Sequence, residues 1–227
     1  MIKYAKIINQ ETGLCEVGIG TNTEFYKSIG MTQLDVQQSD IDNNWYLADK
    51  CPMKTDEQKA KQEQERISLL NMTGADVERA IYKVKGIDFD DILAMVKDNP
   101  AIDEKALKIE FKANNFFRGN PYISQVGLLL GFTEGMLDNF FETKDYQYLT
   151  KKTLTINATP SNSVVTINGV ETTKVEVPYD TDVEYSVELE GYKPYIGSVE
   201  LLEDTELDIK LEKIENVADE NTTDTIA

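Results

Sequence analysis

The sequence has no histidine among its 227 residues and contains only two cysteines. Histidine is the side chain that most often acts as a general base near neutral pH and as a zinc ligand. Its absence excludes Ser-His-Asp and Cys-His catalytic groups and His-ligated metal sites. Enzymes that use paired carboxylates, a desolvated lysine or an oxygen-ligated cation remain as alternatives. We therefore expect a protein that is not an enzyme, with no catalytic residue, no cofactor and no resident metal.

Positive charge is also scarce, because 23 lysine and arginine residues stand against 41 aspartate and glutamate residues, giving a formal net charge of −18. Nucleic acid and anionic lipid would repel such a chain, so neither is an expected partner. No run approaches about 18 apolar residues and no signal-peptide core is present, so we expect neither membrane insertion nor secretion. Cys15 and Cys51 fit one disulfide or two reduced thiols, and the reduced state is favoured.

The hydrophobic period changes along the chain and predicts an α+β protein of several domains. Residues 1–52 predict a small β-hairpin unit around one short helix. Residues 53–146 predict a central all-α helical domain, entered by a charged helix over residues 55–70. Residues 152–214 predict an all-β sandwich of about seven short strands. Residues 215–227 are acidic and poor in large apolar side chains, which predicts a disordered tail.

Local signals predict individual elements inside these regions. Thr55 and Gln58 have the spacing of a capping box at the start of the charged helix. Asn168-Gly169 is a strong signal for a two-residue hairpin turn. The clearest helical pattern runs over residues 102–116, where apolar residues recur at spacings of 4, 3, 4 and 3: Ile102, Ala106, Ile109, Ala113 and Phe116.

Two patterns could indicate a binding site, but each also has a structural explanation. The first pattern is a series of acidic residues that could form a calcium loop: Asp180, Asp182, Glu184, Glu188 and Glu190. Tyr185 stands where an EF-hand needs glycine, so the interpretation as a solvated strand face is favoured. Residues 125–141 have the spacing of a helix-turn-helix. Its second helix carries three acidic residues and would repel DNA, so helix packing is favoured.

Tyr179 and Tyr195 are the two tyrosines of the C-terminal region that inward packing does not account for. A tyrosine ring offers apolar area and a hydrogen-bonding tip, so it can stack on a sugar. We therefore predict these two residues as surface contacts, with a host surface glycan as one partner to consider.

The C-terminal third resembles the PEGA family of small β-sandwich surface modules. Three segments carry the resemblance: Leu154–Gly169, Leu189–Tyr192 and Leu207–Leu211. The chain lacks the motif for which the family is named and matches its P-S-x-x-x-V-x-I-N-G core. The resemblance implies an Ig-like fold and a role in display or adhesion.

The remainder resembles small proteins encoded beside tail-fibre genes in phages and prophages of gut Gram-positive bacteria. The segments that carry this second resemblance are Tyr4–Asn9, Cys15–Asn22, Phe25–Met31, Trp45–Leu47, Asn71–Thr73, Phe117–Pro121 and Leu137–Phe141. It implies a phage origin, and it assigns no functional residue.

The leading hypothesis is a non-enzymatic phage virion protein, associated with a tail or a fibre. Its N-terminal part would dock to the particle, and its C-terminal sandwich would be displayed for adhesion. Its partners would be other virion proteins of the tail, fibre or head, and homo-oligomerisation fits the sequence equally well. The alternative is a cytoplasmic assembly or fibre-folding accessory that never enters the virion. The expected locations are the virion and, during assembly, the host cytoplasm.

Overall fold

The computed structural model of the chain describes residues 2–97 and 99–214. The chain divides into two compact units, residues 1–66 and residues 67–227. The described residues form seven α-helices and thirteen strands in four sheets, which confirms a mixed α+β fold. The tail predicted for residues 215–227 lies outside the described residues, and the division into three folded domains stays a prediction. No helix in the described ranges is long and apolar enough to cross a bilayer.

The first unit contains two hairpins and one short helix, in agreement with the predicted β-hairpin unit. Its elements are β1 (Ile2–Ile7), β2 (Leu14–Gly20), α1 (Thr23–Ser28), β3 (Val36–Gln38) and β4 (Trp45–Leu47). The strands form one antiparallel sheet in the order β1-β2-β4-β3. Gly13 and Asn43 have φ values of 75° and 62° in the two turns, a conformation that these residue types tolerate.

Helix α2 (Asp56–Ser68) crosses the boundary between the two units. Its start has the predicted capping box, because Gln58 N donates to Thr55 Oγ1 and Thr55 N donates to Gln58 Oε1. No side chain of α2 is buried. The prediction of a solvated charged helix is therefore confirmed.

Both cysteines of the first unit are free, as the favoured interpretation predicted. Cys15 is buried, and its thiol donates to Gly13 O at 3.2 Å. Burial raises the pKa of Cys15 and of the half-buried Cys51. Both thiols therefore stay protonated and weakly nucleophilic near neutral pH.

The second unit begins with a helical part whose core is continuous. Its elements are β5 (Asn71–Thr73), α3 (Gly74–Lys85), α4 (Phe89–Val96), α5 (Glu104–Glu110), β6 (Asn115–Phe117), α6 (Pro121–Leu129), α7 (Glu134–Thr143) and a 3-10 helix (Tyr146–Leu149). Thr73, Asn120 and Thr133 each cap a helix by accepting from a backbone N–H. The core includes Ile92 and Phe140.

The prediction of one helix over residues 102–116 is wrong. Helix α5 ends at Glu110, and β6 pairs antiparallel with β5. Leu107 is 0% exposed, whereas Ile109, which the pattern placed in the core, is 69% exposed. The consecutive asparagines Asn114 and Asn115, where β6 begins, disfavour a helix interior. The backbone N–H and C=O groups of β5 also need hydrogen-bond partners, and β6 supplies them. The region predicted to be all-α therefore also contains a two-stranded sheet.

The C-terminal part of the second unit has seven strands, the number expected. They are β7 (Lys151–Thr159), β8 (Val164–Ile167), β9 (Val170–Glu171), β10 (Lys174–Pro178), β11 (Thr181–Glu188), β12 (Tyr195–Leu201) and β13 (Thr205–Lys210). One sheet has the order β10-β7-β13 and the other β12-β11-β8-β9. Side chains from both sheets, including Leu154 and Val183, form one core, so the predicted sandwich is confirmed.

The sandwich follows from local sequence signals. Asn168 and Gly169 have φ values of 49° and 76° in the turn between β8 and β9, as the predicted hairpin requires. Strand β11 alternates buried and exposed positions, with Val183, Tyr185 and Val187 inside and its acidic residues outside. The interpretation of the acidic series as a solvated strand face is confirmed for this strand.

Candidate functional site

Tyr195, one of the two predicted contact residues, opens β12 and is exposed. Its ring stacks on that of Tyr185, with centroids 6.2 Å apart and planes 14° apart. Burial raises the pKa of Tyr185, and the neighbouring Tyr195 adds to that shift. The Tyr195 ring is therefore supported from one side by the sandwich and open to solvent on the other.

Tyr179, the second predicted contact residue, is half-buried just after β10. Its ring meets that of Tyr148 edge-on at 5.2 Å, and the Lys152 Nζ lies 5.9 Å from its centroid. Its backbone N donates to Thr150 O at 3.1 Å. Tyr179 thus helps to join the 3-10 helix to the sandwich, and only part of its ring is accessible.

The two tyrosines lie at opposite ends of β12. Asp180 N donates to Leu201 O at 2.9 Å, which puts Tyr179 beside the last residue of the strand. Tyr195 is its first residue. At about 3.3 Å per residue, the ends are roughly 20 Å apart. The structure does not bring the two residues together, and the role of each as a surface contact stays a prediction.

Acidic side chains gather near the C-terminal end of β12. Tyr148 Oη donates to Asp180 Oδ2 at 2.6 Å, which raises the pKa of Tyr148 to about 12. Glu200 stands directly opposite Asp182 in the sheet. A hydrogen bond with Asp180 raises the pKa of Glu200, and the charges of Asp180 and Asp182 act in the same direction.

This acidic group is not a metal site by geometry. In the ranges that the structure describes, no three side chains of the metal-ligating types are arranged to hold an ion. That the protein has no resident metal or cofactor stays a prediction.

Arg118 carries a buried charge that sequence reasoning did not single out. Within the described part of the chain it is the only charged residue that is buried. It forms an ion pair with Glu134, its Nε lies 2.7 Å from Asp138 Oδ1, and its Nη1 donates to Ser124 Oγ at 3.1 Å. The sequence signal for a buried cation was the pair of acidic residues one turn apart on α7, because two neighbouring carboxylates repel each other unless a positive charge lies near them.

The Arg118 network explains the helix-turn-helix pattern. Two of the three acidic side chains that made DNA binding unfavourable, Glu134 and Asp138, pair with Arg118, and Ser124 of α6 donates to Glu134. The two helices also pack closely, since a Cβ on Gly127 would lie 2.5 Å from Leu137 Cδ1. The two helices therefore pack against each other as predicted, and the absence of DNA binding stays a prediction.

The Arg118 network also makes stability depend on pH. A hydrogen bond from Arg118 lowers the pKa of Glu134 below its ordinary value of 4.5. A lowered pKa in the folded state adds stability above the unfolded value, and that stability is lost as the pH falls through the folded value. Glu134→Gln should therefore flatten the loss of stability between about pH 6 and about pH 3. Denaturation midpoints at the two pH values measure this, and parallel losses in both proteins would contradict it.

A small apolar cavity lies in the helical core, beside Phe89 and Leu137. Its volume is about 40 Å³. Small-molecule sites measure roughly 300–1,000 Å³, so this cavity reflects imperfect packing.

The geometry of residues 151–213 is that of a two-sheet β-sandwich with exposed edges. The same residues match the family model described as a head fiber dimeric protein-like domain. Comparisons with curated proteins and with solved structures gave no match. The family match supports a phage fibre-related protein, and the narrower resemblance to PEGA modules stays a prediction.

Proposed function

We propose that the protein is a non-enzymatic structural component of a phage virion, located on the head and associated with its fibres. The observation that carries this proposal is the match of the C-terminal sandwich to a head fibre domain. The sequence suggested association with a tail or a fibre. The word "head" in the family description favours a location on the head. The description also says "dimeric", so we further propose that two copies associate through their sandwiches.

The two ends of the chain would have different roles. The first unit is a separate compact body and would dock to another virion protein. The sandwich would project from the particle, where it could take part in adhesion to the host surface. Tyr179 and Tyr195 are the residues proposed to contact a surface glycan if the sandwich binds one.

Peptide mass spectrometry of density-purified particles tests the virion assignment. We expect the protein at a fixed ratio to the major capsid protein, because a structural component is present in a set number of copies. Absence from particles, with abundance in the lysate, would contradict the proposal.

That contrary outcome would favour the alternative of a cytoplasmic assembly or fibre-folding accessory. The observation behind this alternative is that α2 buries none of its side chains, so a partner could cover its charged surface. Before packaging, such a protein would be found with fibre proteins in the host cytoplasm.

Lysine cross-linking on intact particles tests which end docks. We expect Lys3, Lys6 and Lys27 of the first unit to cross-link to another virion protein. Lys174 and Lys193 of the sandwich should instead form links within the sandwich or to a second copy. The reverse distribution would contradict the proposed roles of the two ends.

A further inference from the structure

The sandwich has four edge strands, and three of them carry features that discourage pairing. Strand β9 has only two residues. Strand β10 ends at Pro178, which has no N–H to donate, and it also carries charges of both signs. Strand β13 places a charged residue at every second position: Glu206, Asp208 and Lys210. Short length, proline and charge are the usual ways in which proteins protect an edge from another chain.

Strand β12 has none of these features along most of its length. It is seven residues long, and its first five residues, Tyr195–Val199, carry no charge. Ile196 is 77% exposed on the outer face of the sheet. The one charged residue, Glu200, is next to the last residue of the strand and stands opposite Asp182 of its own chain. A long, uncharged edge of this kind is suited to receive another strand.

We propose that β12 pairs antiparallel with β12 of a second copy of this chain, so that two four-stranded sheets continue as one sheet of eight strands. This inference rests on the proposed dimer and names its contact surface. Antiparallel pairing of identical strands is two-fold symmetric, as a closed dimer requires.

The description of the matching family as dimeric points to a second copy as the occupant of this edge. Two chains of net charge −18 repel each other, and that repulsion is smallest where the contact surface carries little charge. Of the four edges of the sandwich, β12 offers the longest uncharged stretch.

The register follows from strand geometry. Residues that stand opposite each other in a sheet have their side chains on the same face. When two identical antiparallel strands are related by a two-fold axis, this condition requires that one residue stands opposite the same residue of the second copy. Pairing along all of β12 puts Ser198 at that position, since it is the central residue of Tyr195–Leu201. Ile196 then stands opposite Glu200 of the second copy. In this arrangement Tyr195 lies opposite Leu201 of the second copy, so of the two proposed glycan contacts only Tyr179 would stay free in the dimer.

Ile196→Glu in the full-length protein tests this surface. The variant would place a new carboxylate opposite Glu200 twice in each dimer, and directly opposed like charges are unfavourable. We expect the dimer dissociation constant from analytical ultracentrifugation to rise about tenfold or more. Val170→Glu is the matched control, because Val170 is 63% exposed on the opposite edge of the same sheet. It should leave the constant unchanged.

Ser198→Cys provides a second test that does not weaken the contact. Cysteines opposite each other in paired strands are close enough to bond, so mild oxidation should give a covalent dimer. Val170→Cys, which retains the same two native cysteines, should not cross-link in this way.

The outcomes separate the two proposals. A wild-type monomer at about 100 µM, well above the Kd of a specific dimer, would overturn both the dimer and the β12 contact. A wild-type dimer that is insensitive to Ile196→Glu and does not cross-link through Ser198→Cys would overturn the β12 contact alone. Circular dichroism verifies that each variant is folded, and if Ile196→Glu unfolds the chain, the cross-link decides.

Discussion

Leu107→Ala should destabilise the second unit by about 3 kcal/mol, because removing a fully buried leucine loses apolar contact and leaves a cavity. Leu107 is 0% exposed and belongs to the helical core. Circular dichroism during chemical denaturation measures the change, since five of the seven described helices, α3 to α7, lie in this unit. The only tryptophan, Trp45, lies in the first unit, so its fluorescence should report an unchanged transition there.

Ile109→Ala is the matched control on the same helix. Ile109 is 69% exposed, so its truncation should change the free energy of unfolding by about 0.5 kcal/mol or less. The apolar spacing in the sequence instead includes Ile109 and omits Leu107. Equal losses in the two variants, or a larger loss for Ile109→Ala, would contradict the orientation of α5.

Arg118→Met should cost about 1.5 kcal/mol, because it removes charge-assisted hydrogen bonds of a buried guanidinium whose partners, Glu134 and Asp138, are themselves partly exposed. The substitution removes the cation between Glu134 and Asp138 and the donor to Ser124. The two carboxylates would then repel each other across one turn of α7. The loss is measured as for Leu107→Ala, by denaturation followed with circular dichroism.

Arg79→Met is the same substitution at an exposed ion pair with Asp76. Exposed pairs contribute little, so we expect a change of about 0.5 kcal/mol or less. Adding Glu134→Gln and Asp138→Asn to Arg118→Met should recover part of the lost stability, since no unpaired charge then remains. Similar losses for Arg118→Met and Arg79→Met would show that the buried network is not important for stability.

The capping and turn signals were reliable in this chain. The capping box at Thr55 and the hairpin at Asn168 both depend on atoms a few residues apart. The alternation in β11 likewise needs only the period of a strand and one buried face. These patterns predicted the mixed α+β class and the seven-stranded sandwich.

The candidate site was less predictable. The sequence pointed to Tyr179 and Tyr195 as outward tyrosines, and the structure separates them along β12. It did not single out the edge of β12 itself, because whether an edge is free depends on which strands pair. Strand order is set by contacts such as β13 with β7, which join residues about 50 positions apart in the chain.

The sequence by itself determined the class of the protein: acidic, histidine-free and mixed α+β, with a C-terminal sandwich. Tertiary structure alone decided that residues 115–117 form a strand, that Leu107 and not Ile109 faces the core, and that Arg118 is buried. The physical reason is common to all three. Periodicity shows that a segment has an apolar face, but backbone pairing and the neutralisation of a buried charge depend on partners that are distant in the chain.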